Sequence, residues 1–134
     1  MSTLDSVNEL LLEIAKAADL CLKPWKHAAV IDDKNPYEQN LDNDFSEIIL
    51  RVECRDLNGQ RQSHNDLEIE IFRSGVELNI ILAWYEFPLR PILWQGKHSL
   101  WMDAKSGKRA TVPNGGDQLE AFARRLRAAV SEFF

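Results

Sequence analysis

The sequence predicts an α+β domain: an N-terminal helix, an antiparallel β-meander of four to five strands, and a C-terminal amphipathic helix packed on the sheet. Three observations carry that prediction. Near both ends of the chain, apolar residues recur at three- and four-residue intervals, the period of one helix face. Between them, residues 45–86 alternate apolar and polar side chains over runs of strand length. Two glycine-containing turn signals, Asn58-Gly59 and Ser74-Gly75, divide that stretch into three runs.

The first helix is drawn by Leu4, Val7, Leu11, Ile14, Ala18 and Cys21, with Ser2 or Thr3 as its cap. Pro24 stops it, because the residue before a proline is pushed out of the helical region. Residues 24–44 carry Pro24, Asp32-Asp33, Asn35-Pro36 and Asn40 to Asp44, the composition of a solvated connection. Only residues 28–31 (Ala-Ala-Val-Ile) have the character of a short strand. The functional alternative is a flap over a pocket, with Trp25 and Tyr37 as its apolar contacts.

Two-residue loops at both meander turns would place Leu50 opposite Leu67 and Ile48 opposite Ile69. They would likewise set Ile69 against Ile80, Leu67 against Leu82, and Ile71 against Leu78. All of these share one face, as a half-buried sheet requires. A slip of one residue would put the whole set in water, and burying each side chain is worth roughly 1.5–3 kcal/mol. Pro88 and Pro91 lack the N–H of a ladder, so residues 86–94 read as an extended edge or crossing segment. One more hairpin follows, with strands near Ser99–Asp103 and Arg109–Val112 and Gly107 in its turn. Asp117 and Glu120 form a capping box for the last helix after Gly115-Gly116. Leu119, Phe122, Leu126, Val130 and Phe133 are its apolar stripe, and the first four are its main contact with the sheet.

A chain of 134 residues with 45% hydrophobic content suits a single folded domain, residues 1–134. No apolar run approaches the roughly 18 residues of a membrane span, and the N-terminus lacks the pattern of a secretory signal. Cys21 and Cys54 stand far apart and read as reduced thiols of a cytoplasmic protein. The first 66 residues carry 7 Lys/Arg against 13 Asp/Glu, and the remainder 9 against 8. That acidic balance argues against nucleic acid, whose nonspecific affinity comes mostly from cations meeting phosphates.

Several residue groups invite chemistry. The two-residue-loop register sets Glu53, His64 and Tyr85 in one row across three strands, on the face opposite the aliphatic set. A carboxylate beside an imidazole can orient it as a base, and a phenol can donate to substrate; the ordinary reading is a surface trio of cross-strand contacts. Trp84, Tyr85, Trp94 and Trp101, with Phe87 and His98, cluster around Pro88 and Pro91. Rings beside rigid backbone often wall a ligand groove; the ordinary alternative is core for Trp84 and end-caps for the rest. His27, His64 and His98 are candidate metal or haem ligands, though none has a partner at ligand spacing. Asp66, Glu68 and Glu70 lack the lysine that a metal-dependent nuclease core would need. Phosphate-loop, dinucleotide and nucleophile-elbow sequences are missing. The polar face also carries Ile49, Phe72 and Ile81, so something covers part of it: a helix, the proline segment or a partner chain, a homodimer being one such case.

The layout of helix, meander, Pro/Trp segment and closing helix resembles small uncharacterised bacterial α+β proteins, cyanobacterial ones among them, some described as distant relatives of haem-binding proteins. That resemblance implies haem as an alternative cofactor, with His64 or His98 as axial ligand. A looser likeness to small acidic secretion chaperones lacks their inter-strand helix. The function expected from the residues is a non-enzymatic binding module for a protein partner or a small apolar ligand. Haem binding, or an enzyme using Glu53, His64 and Tyr85, are the alternatives.

Overall fold

The computed structural model describes residues 3–35 and 47–133. Helix α1 (Thr3–Cys21) is followed by strands β1 (Lys26–Ile31), β2 (Glu47–Arg55), β3 (Leu67–Ser74), β4 (Glu77–Trp84), β5 (Ile92–Gln95) and β6 (Ser99–Met102), and then by helix α2 (Gly116–Val130). The strands form one antiparallel sheet in sequence order. The architecture is the predicted α+β one, with one strand more than the upper count. Ser2, Tyr37, Phe45 and the side chain of Leu4, all used in the sequence reading, lie outside the described residues.

The extra strand is β1, drawn from the stretch whose composition suggested a connection. Lys26–Ile31 pairs with β2 from Lys26–Arg55 to Ile31–Leu50. β5 comes from the segment expected to interrupt the sheet. Its prolines do no harm there, because Pro91 lies just before the first strand residue and owes the ladder no N–H. The hairpin expected between Ser99–Asp103 and Arg109–Val112 forms only in part: Asp103 N–H donates to Lys108 O, Ala110 N–H donates to Trp101 O and Met102 bridges Arg109, while the full strand pairing of β6 is with β5.

The register differs from the two-residue-loop expectation by two residues at each turn. Leu50 faces Ile69, Ile48 faces Ile71 and Val52 faces Leu67. Ile69 faces Leu82, Ile71 faces Ile80 and Leu67 faces Trp84. At the first turn, Asn58-Gly59 does reverse the chain, closed by Asp56 N–H to Gln60 O and a bridge between Arg55 and Arg61. A 3₁₀ turn at Ser63–Asn65 then spends residues outside the ladder and resets the pairing. At the second turn the loop residues are Gly75 and Val76, with Ser74 and Glu77 paired. Gly75 takes φ +64°, the left-handed value that the first position of a II′ turn needs. A shift of two keeps every side chain on its face, so the aliphatic set stays together.

Both helices pack side by side on that face. From α1, Leu10 and Ile14 are fully buried with Val7, Ala17 and Ala18, while Leu11 sits at the flank. From α2, Leu119, Phe122, Leu126 and Val130 reach the sheet as the stripe predicted, joined by Ala123. The expected capping box does not form. Gly115, at φ +80°, is the N-cap of α2. Asp117 lies in the first turn, where its charge suits the helix dipole. Glu120 accepts the indole N–H of Trp101 at 2.7 Å instead of turning back to cap. Arg127 donates to the carbonyls of Leu78 and Gly96, tying α2 to the end of β4 and to the β5–β6 turn. Among the described residues no helix is long and apolar enough to cross a membrane.

Candidate functional site

On the face away from the helices, the row predicted as Glu53, His64 and Tyr85 has a different middle member. Continuing the Val52–Leu67 pair by one residue brings Asp66 opposite Glu53, and the Tyr85 N–H donates to Asp66 O at 3.1 Å. His64 is exposed in the 3₁₀ turn that displaced it. Asp66 is fully buried. Its carboxylate accepts from Arg61 Nη2 at 2.7 Å, Arg61 Nη1 at 2.9 Å, Cys54 N at 2.8 Å and Arg51 Nε at 2.9 Å. Burial alone would raise its pKa; the hydrogen bonds from Arg61, Cys54 and Arg51 outweigh that and hold it below the usual carboxylate range. The Arg51 guanidinium also lies 3.8 Å from the centre of the Tyr85 ring. Both Asp66 oxygens are hydrogen-bonded, the arrangement of a structural clasp.

The aromatic residues of the Pro88/Pro91 region do not converge. Trp84 and Trp101 belong to the helix-covered face, opposite Leu67 and Leu93. Trp94 pairs with Ile81 on the other face and stacks edgewise on Phe72, at 6.3 Å between ring centres. Tyr85 shares that outer face, and Phe87 is exposed beneath the Arg90 guanidinium. His98 is exposed in the turn between β5 and β6, at the Leu78 end of β4.

The helix-covered face opens into a cleft at the Trp84 end. Its volume is about 120 Å³, between the chain leaving α1, the ends of β1–β4 and the first turn of α2. Leu22, Trp25, Leu67, Trp84 and Leu119 supply the apolar wall, with His27, Cys54, Asn65 and Gln118 among them. His27 and Cys54 are directly opposite each other in the β1–β2 ladder. The His27 side chain is 3% exposed, and its Nδ1 is 2.9 Å from Asp19 Oδ1 on α1. Burial lowers the pKa of His27, the hydrogen bond and charge of Asp19 oppose it, and the net is below the ordinary 6.5. The ring is therefore neutral at pH 7.

Aspartate, histidine and cysteine in this order suggest a nucleophilic triad, yet the thiol does not fit one. Burial first, and the nearby Asp66 charge second, push the Cys54 pKa up to about 11. No hydrogen bond among the described residues joins it to His27, and catalytic thiols need the opposite shift. Among the described residues no group of three or more His, Cys, Asp or Glu side chains is placed to hold a metal ion.

The sequence marks Trp25 as a flap contact, His27 as one of three possible ligands and Cys54 as a reduced thiol. What brings them together is β1, whose own signal is the alternation of His27, Ala29 and Ile31 with Lys26, Ala28 and Val30. Asp19 is linked to His27 through space alone.

A family model described as a domain of unknown function, DUF8659, matches residues 11–129, and the chain belongs to that family. No curated protein and no solved structure matches it.

Proposed function

We propose that this DUF8659 chain is a non-enzymatic binding module whose ligand is a small, largely apolar molecule held in the cleft at the Trp84 end of the sheet. The observation that carries this reading is the wall itself. Two indoles and three leucines surround a half-open space of about 120 Å³ beside a buried imidazole. Small-molecule sites are mostly apolar concavities with a few placed polar groups, and this one has that character. The raised thiol pKa and the satisfied Asp66 cluster support a binding role over catalysis. Two free cysteines support a reducing, cytoplasmic setting.

The test is a titration with toluene, followed by ligand-observed NMR, against the wild type and Gln118→Trp. Gln118 is exposed at the mouth, so a large ring there blocks entry without disturbing the core. Saturable binding weakened at least about tenfold by the substitution supports the reading. Equal binding by both proteins counts against it.

A haem would need more room. Pockets for larger ligands run to about 300–1,000 Å³, and the two histidines proposed for axial ligation, His64 and His98, occupy exposed turns. The residues present do not fit that group in this cleft.

A second reading concerns the outer face, where Ile81, Trp94 and Leu100 form an apolar row with Phe72 against Trp94. A second copy of the chain is the partner proposed for it, since contiguous apolar patches favour association. Sedimentation that stays monomeric at millimolar concentration, with Trp94→Lys indistinguishable from wild type, would remove this reading.

A further inference from the structure

We propose that the cleft selects a neutral ligand carrying a hydrogen-bond donor on an aromatic or aliphatic body, a phenol being the simplest case, with Nε2 of His27 as its acceptor. This rests on the cleft being a ligand site and adds the chemistry of the ligand.

A carboxylate only accepts, so the 2.9 Å contact with Asp19 places the proton of the neutral ring on Nδ1 and leaves a lone pair on Nε2. Nε2 has no hydrogen-bond partner among the described residues, and the side chain that carries it is 97% buried, being 3% exposed. Nε2 is not sealed from solvent, so a donor entering the cleft replaces water at this lone pair. Asp19 holds the ring from behind, the way an outer-shell carboxylate orients a binding histidine, so Nε2 is placed before the ligand arrives.

The rest of the wall decides against charge. Among the described residues no Lys, Arg, Asp or Glu lines the cleft; its other polar side chains are the amides of Asn65 and Gln118 and the thiol of Cys54. An ionic ligand would leave water with no opposite charge to meet. Size sets the upper limit: an apolar cavity of about 150 Å³ accommodates benzene, so about one ring fits here.

Protonation of His27 converts Nε2 from acceptor to donor, so affinity must fall in acid. The charged and titratable groups around the ring are Asp19 from α1, Cys54 from β2, Asp66 at the start of β3, and Lys26 on its own strand. α2 contributes Gln118 and Leu119 at the cleft, neither of them charged. Binding is full at pH 7 and declines as pH drops through a midpoint below 6.5.

Phenol and toluene have nearly the same shape and differ in the donor. Both are titrated into the full chain at pH 7.5 and over a descending pH series by two-dimensional NMR, with His27→Phe and His27→Gln alongside. The expected result is phenol at least about tenfold tighter than toluene, a preference lost in His27→Phe, kept in His27→Gln and declining as the medium is made acidic. The wild-type comparison across pH needs no variant to fold. Equal affinity for both ligands at the cleft overturns the donor requirement and leaves the cleft a ligand site. A preference that survives His27→Phe overturns the role of Nε2. No saturable binding of either ligand overturns both this inference and the reading it rests on.

Discussion

Replacing Asp66 with alanine removes the acceptor of four hydrogen bonds that hold the 3₁₀ turn, β2 and the Asn58-Gly59 hairpin together. Breaking a buried ion pair by deleting one partner costs about 3–5 kcal/mol, because the remaining charge is left uncompensated. Here the stranded guanidiniums of Arg51 and Arg61 keep 26% and 31% of their surface in water, so solvent can recover part of the loss. The low end, about 3 kcal/mol, is the value expected, and for a domain of this size it lowers Tm by about 10 °C. The assay is urea and thermal unfolding followed by circular dichroism. A loss below about 1 kcal/mol, the worth of an exposed ion pair, would refute the reasoning. Replacing the whole cluster, as Asp66→Leu with Arg51→Met and Arg61→Met, should recover most of the stability, since buried ion networks often exchange for apolar packing at little cost. The pH dependence has a definite sign. The folded-state pKa of Asp66 lies below its unfolded value of about 3.9. Its contribution is therefore complete above about pH 4 and is lost as pH falls through the folded value.

Three other outcomes follow from packing and burial. Gly116→Ala should cost about 1 kcal/mol, the lower end for overpacking: a Cβ there would stand 2.5 Å from Val112 Cγ1 and 3.1 Å from Trp101 Cζ2, and only the exposed valine can turn aside. Chemical denaturation measures it, and a neutral result would contradict the close approach of α2 to β6. Arg127→Leu removes the donor shared by the carbonyls of Leu78 and Gly96, the latter keeping only the Gln95 amide, and should cost about 1 kcal/mol, with faster hydrogen exchange at the β5–β6 turn. Cys54, its pKa pushed up to about 11, should resist iodoacetamide at pH 8 in the folded protein and react in urea. Rapid labelling of the native thiol would contradict its burial.

The fold class, both helices and the identity of the core face were legible because they depend only on periodicity. Ile48, Leu50, Leu67, Ile69, Ile80 and Leu82 are all buried on one face, as alternation dictates. Alternation fixes parity and nothing finer, which is why a two-residue shift at each turn left that face intact while moving every cross-strand pair. The Ser63–Asn65 turn has a signal of its own in Ser63, Asn65 and Asp66, but the stronger Asn58-Gly59 signal a few residues earlier accounts for the reversal and masks it. That one omission put His64 where Asp66 stands. The cleft was less legible still. β1 is short, rich in alanine and set two residues after Pro24, so its strand signal was weak. Without β1 there is no reason to place His27 beside Cys54, and the Asp19–His27 contact joins two elements across the fold.

The most direct test of the cleft is the indole N–H region of a ¹H–¹⁵N correlation spectrum during a phenol titration. The four tryptophans are built-in reporters: Trp25 and Trp84 line the cleft, Trp101 is bonded to Glu120 in the core, and Trp94 is bonded to Asn79 on the outer face. Saturable shifts of Trp25 and Trp84, with Trp94 unmoved, are the predicted result. Shifts led by Trp94, or none at any of the four up to the solubility of the ligand, would contradict the assignment of the cleft as the binding site.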